Sequence, residues 1–205
     1  EVCSAGSRIL VEKKIYSKFV EAMSAKAKLI RLGSPLERET KMGPLVSKDQ
    51  FDRVRAYQEI GKREAKVAAG GGRLATQSHG YFVEPTIFYD VDNSARIARE
   101  EIFGPVATVI PFASEADAIQ IANDTKFGLA AAVWSRDIFK AFRVVKALRA
   151  GIVWVNHMQP TYVEAPWGGY KQSGFGRELG PNGIEEYLET KQVHINLNEQ
   201  PIAWY

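Results

Sequence analysis

The sequence predicts an α/β protein with an open, largely parallel twisted sheet and flanking helices. Apolar, β-prone segments alternate with amphipathic segments of helical period through most of the 205 residues. Glycine, proline and capping residues separate these segments, which sharpens their boundaries. Such alternation is typical of parallel strands, because each pair needs a crossover connection that is usually a helix. The length suits one large domain with an arm.

The predicted strands in the first half of the chain are residues 7–11, 67–69 and 82–89. Pro85 interrupts the third of these, which suits an edge strand or a strand with a break. An amphipathic helix follows the first strand and stops at Gly33. Ser47 is a good N-cap for a second helix, residues 47–61, that we expect to end near Gly61.

The predicted elements of the second half are strands 108–112, 130–134 and 151–156 and helices 114–123, 137–148 and 181–189, and Ser114 is the predicted N-cap of the first of these helices. Six glycines from Gly168 onward predict an irregular loop before the last helix. Residues 191–197 alternate polar and apolar, the pattern of a half-buried strand. Because this strand ends the chain, we expect it to pair with the sheet of another chain. We therefore assign an α/β domain to 1–189 and an oligomerisation tail to 190–205.

Composition excludes several classes of protein. The net charge of +3 is too small to indicate nucleic acid or a membrane surface as partner, and no apolar run approaches the length of a membrane span. One cysteine excludes an internal disulfide framework, so we expect a reducing, cytoplasmic compartment. His79, His157 and His194 are far apart in sequence, so we expect no metal site.

The single cysteine, Cys3, lies among small residues just before an apolar run. A lone cysteine is more often a small buried hydrophobe than a nucleophile. The neighbours Ser4, Ala5 and Gly6 favour the catalytic reading, because they leave room for a substrate and their backbone N–H groups can meet an oxyanion. The reactive form is the thiolate. Both readings are open on the residues alone.

Two further stretches have both a structural and a functional reading. The run EEIFGP at 100–105 could be a helix end, with Phe103 in the core, or it could offer Glu101 to ribose hydroxyls beside an aromatic ring. In the glycine-rich loop the spacing GxGxxxG is one residue too long for a dinucleotide fingerprint, so we interpret it as a tight loop under an active site. Trp167 in that loop could face a cationic or apolar substrate end. Trp154 lies inside an apolar strand, so we interpret it as a residue of the hydrophobic core.

Three motifs together give the sequence its resemblance to the aldehyde dehydrogenase superfamily. CSAGSR at 3–8 looks like the family's nucleophile loop, EIFGPV at 101–106 like its cofactor-side motif, and PWGGYKQSG at 166–174 like its late catalytic loop. They occur in the family's order, and the resemblance covers essentially the whole chain. Within the family, APWGG at 165–169 and the ending at 199–205 look most like betaine-aldehyde and amino-aldehyde dehydrogenases.

The resemblance implies a mechanism and a set of site residues. Cys3 would attack the aldehyde, and transfer of a hydride to the cofactor would then leave a thioester on Cys3. The implied cofactor is NAD, with NADP as the alternative. Glu101 and Phe103 would hold the nicotinamide ribose and ring, and Gln50 would also touch the cofactor. Glu178 would support the proton path. Trp167 would contact the substrate, and the tail would join a homodimer or homotetramer.

The same resemblance implies that parts of the site are elsewhere. The family's cofactor domain, general-base glutamate and oxyanion asparagine precede the nucleophile loop, so we expect this chain to be a C-terminal fragment, inactive alone. Two alternatives stay open. One is a non-catalytic α/β assembly module with an inert cysteine. The other is a thiol hydrolase, which needs one of the three histidines as a base near Cys3.

Overall fold

The largest sheet has four strands in the order β1–β4–β3–β2 in the computed structural model of the chain, which describes residues 1–74, 80–198 and 200. These strands are β1 (Arg8–Glu12), β2 (Lys66–Ala69), β3 (Thr86–Tyr89) and β4 (Val106–Phe112). Strand β4 pairs in parallel with both β1 and β3, whereas β2 is antiparallel to β3. The predicted α/β class with a largely parallel open sheet is confirmed.

Two further strand pairs lie in the second half of the chain. Strands β6 (Ala130–Val133) and β7 (Ile152–Val155) are parallel. Strands β5 (Phe127–Gly128) and β8 (Tyr170–Lys171) form a short antiparallel pair. Strand β8 therefore gives local order to a glycine-rich segment that the sequence predicts to be irregular.

The helices are α1 (Tyr16–Lys28), α2 (Lys48–Glu64), α3 (Arg96–Arg99), α4 (Glu115–Asn123), α5 (Ile138–Ala147) and α6 (Gly180–Glu185), and a 3-10 turn (Lys13–Ile15) precedes α1. The side chains of Ser47, Ser114 and Asp137 cap α2, α4 and α5 by accepting from the backbone N–H three residues on. The predicted caps at both serines are thus confirmed. No described helix is long and apolar enough to span a bilayer.

The four-stranded sheet has a hydrophobic layer on each face. Neighbouring residues of one strand point to opposite faces, and in β3 Ile87 packs in one cluster while Phe88 packs in the other. Helix α1 covers the first face through Tyr16 and Val20, and α2 covers the second through residues such as Val54. The sheet is therefore a rigid middle layer whose loops can position a site.

The prediction that the second helix ends near Gly61 is wrong. Helix α2 continues to Glu64, and Gly61 is buried within it. A Cβ on Gly61 would lie 2.3 Å from Cζ of Phe88. The glycine is thus needed for close approach of helix and sheet rather than for a helix end, a distinction that depends on tertiary contact.

The break at Pro85 is confirmed, but the edge position is not. Strand β3 begins at Thr86 and lies between β2 and β4, so it is interior. Val83, before the proline, pairs separately with Arg73 through an isolated bridge. The proline therefore separates the bridge at Val83 from strand β3, because it has no N–H to donate to a ladder.

The end of the chain packs less than its pattern predicts. Helix α6 stops at Glu185, and Tyr187 and Leu188 are exposed, so the rest of the predicted helix has no apolar surface to pack on. Residues 191–198 pair with no strand of the described chain and are exposed. Their role in an oligomer stays a prediction, as does the division of the chain at 189. The ending at 199–205 is outside the described residues apart from Gln200.

Candidate active site

Two of the three motif segments lie side by side at the amino ends of neighbouring strands. The loop at 3–7 leads into β1 and the segment 101–105 leads into β4, and these strands are parallel with Arg8 opposite Thr108. The backbone O of Ser7 accepts from N of Thr108 at 2.8 Å. Open α/β sheets commonly bind ligands at the carboxyl ends of their strands. The two motif segments here lie at the opposite ends of the strands, the amino ends. This placement depends on strand order, which the sequence alone does not give.

Cys3 is exposed, so its reading as a small buried hydrophobe is wrong. It sits in a tight turn closed by a 3.0 Å hydrogen bond from N of Ala5 to O of Val2. The next residue, Ser4, is buried and fixes the turn against the protein. A Cβ on Gly6 would lie 2.9 Å from Cε of Met158, so the loop also packs on the segment after β7. The thiol is therefore presented to solvent from a well-supported turn.

A histidine base beside Cys3 finds no support in the described part of the chain. Neither His157 nor His194 makes a hydrogen bond with Cys3, and both are exposed. The third, His79, is outside the described residues. The thiol-hydrolase alternative consequently lacks the contact on which it depends.

The first two turns of α2 fix the backbone of residues 101–103. Nε2 of Gln50 donates to O of Ile102 at 3.1 Å and to O of Phe103 at 2.6 Å. Arg53, one turn later on the same face, donates to O of Ile102 at 3.3 Å and to O of Glu101. Gln50, predicted to touch the cofactor, thus has a backbone-holding contact in this structure. Its contact with a cofactor stays a prediction.

This support leaves two side chains open to a ligand. Ile102 is buried, but Phe103 is 40% exposed, so the reading of Phe103 as core is wrong. Phe103 has φ of 59°, the left-handed region, which turns its ring away from the core side taken by Ile102. The carboxylate of Glu101 is exposed and has no partner within 1–74 and 80–198. An acceptor carboxylate beside an open ring on a fixed backbone fits a ribose with an attached flat heterocycle.

Glu100 ties this segment to two helices. Its carboxylate accepts from OH of Tyr57 at 2.6 Å and from the guanidinium of Arg96 at 3.0 and 3.1 Å. These bonds, first from Arg96 and then from Tyr57, lower the pKa of Glu100 from its ordinary 4.5 to about 2. Burial, followed by the bond to Glu100, raises the pKa of Tyr57. The pair holds the chain just before Glu101.

Glu100→Gln should reduce stability at neutral pH and should do so less in acid. Because the folded-state pKa is depressed, the stabilisation is present above pH 4.5 and is lost as the pH falls towards 2. The carboxylate is partly solvated, so the expected loss at pH 7 is only about 1 kcal/mol. Urea unfolding of both proteins from pH 7 to pH 2.5 measures it. A difference in stability that does not narrow in acid would contradict the assignment.

Trp167 and Glu178 are neighbours, which the sequence did not predict. Their backbones form an antiparallel bridge, with N of Trp167 to O of Glu178 at 2.7 Å and N of Glu178 to O of Trp167 at 2.8 Å. The Trp167 ring lies 6.3 Å from that of Trp154, tilted by 52°. Trp154 is buried, as predicted for core, and its Nε1 donates to O of Pro160. Tyr162, on the connection before Trp167, is exposed.

The structure therefore forms two groups from the predicted site residues. One contains Gln50, Glu101 and Phe103, and the other contains Trp167 and Glu178. Cys3 makes no hydrogen bond with either group in the described chain. Sequence reasoning missed Arg53, although its spacing of three from Gln50 on a predicted helix was a usable signal. No cluster of three or more His, Cys, Asp or Glu that could hold a metal occurs among the described residues.

The fold and these motif segments define an α/β protein in which an exposed cysteine and an exposed carboxylate–aromatic pair lie on segments that lead into adjacent parallel strands. This is the arrangement expected of a cysteine-dependent dehydrogenase. The chain belongs to the aldehyde dehydrogenase family, whose pattern it matches over residues 1–193. It is 50% identical over 208 aligned positions to the betaine aldehyde dehydrogenase of Bacillus subtilis (strain 168), covering 100% of this chain and 42% of that protein.

Other relatives agree with this assignment. The chain is 47% identical to the peroxisomal aminoaldehyde dehydrogenase 1 of Pisum sativum, covering 100% of this chain and 41% of that protein. The structure superposes with a TM-score of 0.94 on the betaine aldehyde dehydrogenase of Staphylococcus aureus in complex with NAD+, at 48% identity, covering 100% of this chain and 41% of that one. The chain thus spans about two-fifths of the length of these relatives.

Proposed function

We propose that this chain carries the nucleophile and one side of the cofactor site of an NAD(P)-dependent aldehyde dehydrogenase that acts on a quaternary ammonium or amino aldehyde. The observation that carries the proposal is that the Cys3 loop and segment 101–105 lead into the amino ends of two adjacent parallel strands, β1 and β4. A nucleophile and a cofactor-holding pair must lie close together for hydride to leave the carbon that the nucleophile attacks.

The proposed chemistry begins at the exposed thiol of Cys3. The thiolate adds to the aldehyde carbon, and a C–S bond forms as the carbonyl π bond opens to a tetrahedral thiohemiacetal. Bound NAD(P)+ supplies the acceptor for the hydride that leaves this carbon. A thioester on Cys3 results, and water then releases the carboxylic acid and returns the thiol. Backbone N–H groups of the small-residue turn can stabilise the oxyanion.

The remaining residues bind and orient. Glu101 accepts hydrogen bonds from ribose hydroxyls, and the Phe103 ring packs against the flat ring beside it. Gln50 and Arg53 hold the backbone of both residues. Glu178, next to Trp167, supports proton movement near the substrate. The general base and oxyanion asparagine implied by the family are not among these residues, so assays should use both the 205-residue chain and the polypeptide that its gene encodes.

Glu101→Gln is expected to raise the KM for NAD+ by about tenfold with a smaller effect on the KM for aldehyde, because a charged acceptor forms hydrogen bonds about twice as strong as a neutral one. Steady-state kinetics of the encoded polypeptide measure this, with NADP+ assayed in parallel to decide the cofactor. Glu39→Gln, an exposed carboxylate on the loop after α1, is the control. An unchanged KM for NAD+ in Glu101→Gln would remove Glu101 from the cofactor site.

Trp167→Ala is expected to raise the KM for betaine aldehyde by about five- to thirtyfold, the value of a cation–π contact of 1–2 kcal/mol. The KM for hexanal, which has no charge, should change less. Tyr162→Ala, an exposed aromatic on the same connection, should change neither. Equal changes for both aldehydes, or equal turnover of both by the unmodified enzyme, would contradict a cation site at Trp167.

The exposed tail favours an additional role in assembly. Val193, Ile195 and Leu197 alternate with polar residues, a pattern that would place them on one face of a strand, and they are 69%, 76% and 88% exposed. Such a face is suited to pairing with a second copy in a dimer or tetramer. If Cys3 were inert, this would be the function of a purely structural module. For location we propose the cytoplasm, although several plant relatives are named as chloroplastic or peroxisomal.

A further inference from the structure

The carboxyl end of α4 is bound by cations from distant parts of the chain. A helix leaves its last carbonyls without intrahelical partners, and positive charge is favourable there. The guanidinium of Arg8 donates to O of Ile121 at 3.1 Å and to O of Ala122 at 2.9 Å. The ammonium of Lys171 donates to O of Asn123 at 2.8 Å and to O of Thr125 at 3.1 Å.

Side chains on this segment, residues 121–125, fix it further. Nδ2 of Asn123 donates to O of Ala147 at 2.8 Å, and Oδ1 of Asn123 accepts from N of Arg149 at 2.8 Å. Asp124 accepts from Nδ2 of Asn93 at 2.8 Å, and Asn93 in turn accepts from Arg8 at 2.7 Å. Arg99 also donates to O of Asp124 at 2.8 Å and to its carboxylate. Segment 121–125 is therefore one ordered unit that is bound by three cations.

Two of these cations, Arg8 and Lys171, lie directly after the two loops of the candidate site. Arg8 is five residues after Cys3 and begins β1. Lys171 is four residues after Trp167, and N of the next residue, Gln172, donates to O of Lys126 at 3.0 Å. Both loops are thus attached to the same four-carbonyl surface.

We propose that Arg8 and Lys171 are positioning residues that set the nucleophile loop and the Trp167 loop relative to each other through segment 121–125. The proposal rests on the proposed function in taking Cys3 as the nucleophile. Arg8 and Lys171 bind carbonyls of one short backbone segment. Loss of either cation loosens the segment that the other also binds, so a change at Lys171 reaches the Cys3 loop. A purely local structural role for either residue would not transmit such an effect.

Cys3 offers a direct test, because it is the only cysteine in the sequence and is exposed. The 205-residue chain is labelled at Cys3 with 3-bromo-1,1,1-trifluoroacetone, and the fluorine resonance is recorded. Lys171→Met is expected to shift or broaden this resonance, and Lys171→Arg, which keeps a donor for the carbonyls, should restore it. Lys66→Met is the matched control. Lys66 lies on β2, the edge strand farthest from β1, and its ammonium donates to Asp90 at 2.9 Å.

The reciprocal experiment measures exchange of the Gln172 amide. Arg8→Gln is expected to speed it by about two- to tenfold, the lower part of the coupling range for residues in one hydrogen-bond network, and Arg8→Lys should reverse part of this. The proposal is overturned if Lys171→Met leaves the Cys3 resonance unchanged, or if Lys66→Met moves it equally. Neither readout involves aldehyde oxidation, so loss of the proposed function and loss of this coupling would be seen separately.

Discussion

Cys3→Ser is expected to lower kcat for aldehyde oxidation by on the order of 10³-fold or more in the encoded polypeptide, because the covalent route requires a thiolate and a serine hydroxyl is a poor nucleophile without a base. The side chain is exposed, so folding should be unaffected, with unfolding free energy changed by less than about 0.5 kcal/mol. Activity and urea unfolding are measured together.

Ser17→Ala, a substitution of an exposed residue on α1, is the control for both measurements. It should leave both activity and stability at the values of the unmodified protein. If Cys3→Ser kept the kcat of the unmodified enzyme, the nucleophile would lie elsewhere, and the assembly-module reading of this chain would gain support.

The largest expected loss of stability is at the contact of α2 with the sheet. Phe88 is fully buried in the cluster that joins these elements. Phe88→Ala should therefore destabilise the protein by about 3–5 kcal/mol, since it removes a large apolar side chain and leaves a cavity. Phe175→Ala is the matched control, because Phe175 is fully exposed, and it should change stability by less than about 0.5 kcal/mol.

Gly61 provides an independent check of the same contact. Gly61→Ala places a methyl group 2.3 Å from Cζ of Phe88 and should cost about 1–3 kcal/mol or more through overpacking. Phe88→Leu removes Cζ, so the double variant should lose less than the sum of the single losses. Strictly additive losses in urea unfolding would show that Gly61 and Phe88 do not touch.

The sequence was most informative where structure is local. Ser47 and Ser114 cap helices as predicted, because a cap depends on a side chain and an N–H three residues away. The prediction that α2 ends near Gly61 was wrong, because the role of this glycine is set by contact with Phe88, 27 positions later in the chain. The pairing of the tail stays a prediction, because alternation of polar and apolar residues shows a capacity to pair and the expected partner is a strand of another chain.

The site could be predicted as a set of motifs but not as an arrangement. Family resemblance pointed to Cys3, Glu101 and Phe103, and the structure adds that the loops carrying them precede adjacent parallel strands. Strand order decides which loops meet, and no local pattern encodes it. The backbone contacts of Gln50 and Arg53 were missed for a related reason. Their spacing of three places both side chains on one helix face, but the carbonyls opposite that face depend on tertiary structure.

The central claim is that Cys3 forms the bond to the aldehyde carbon, and trapping the thioester tests it most directly. The encoded polypeptide is mixed with NAD+ and a stoichiometric amount of betaine aldehyde, quenched in acid within one turnover, digested and analysed by mass spectrometry. We expect the acyl group on the peptide that contains Cys3, and its absence in Cys3→Ser. An acyl group on another residue, or undiminished turnover by Cys3→Ser, would contradict the claim.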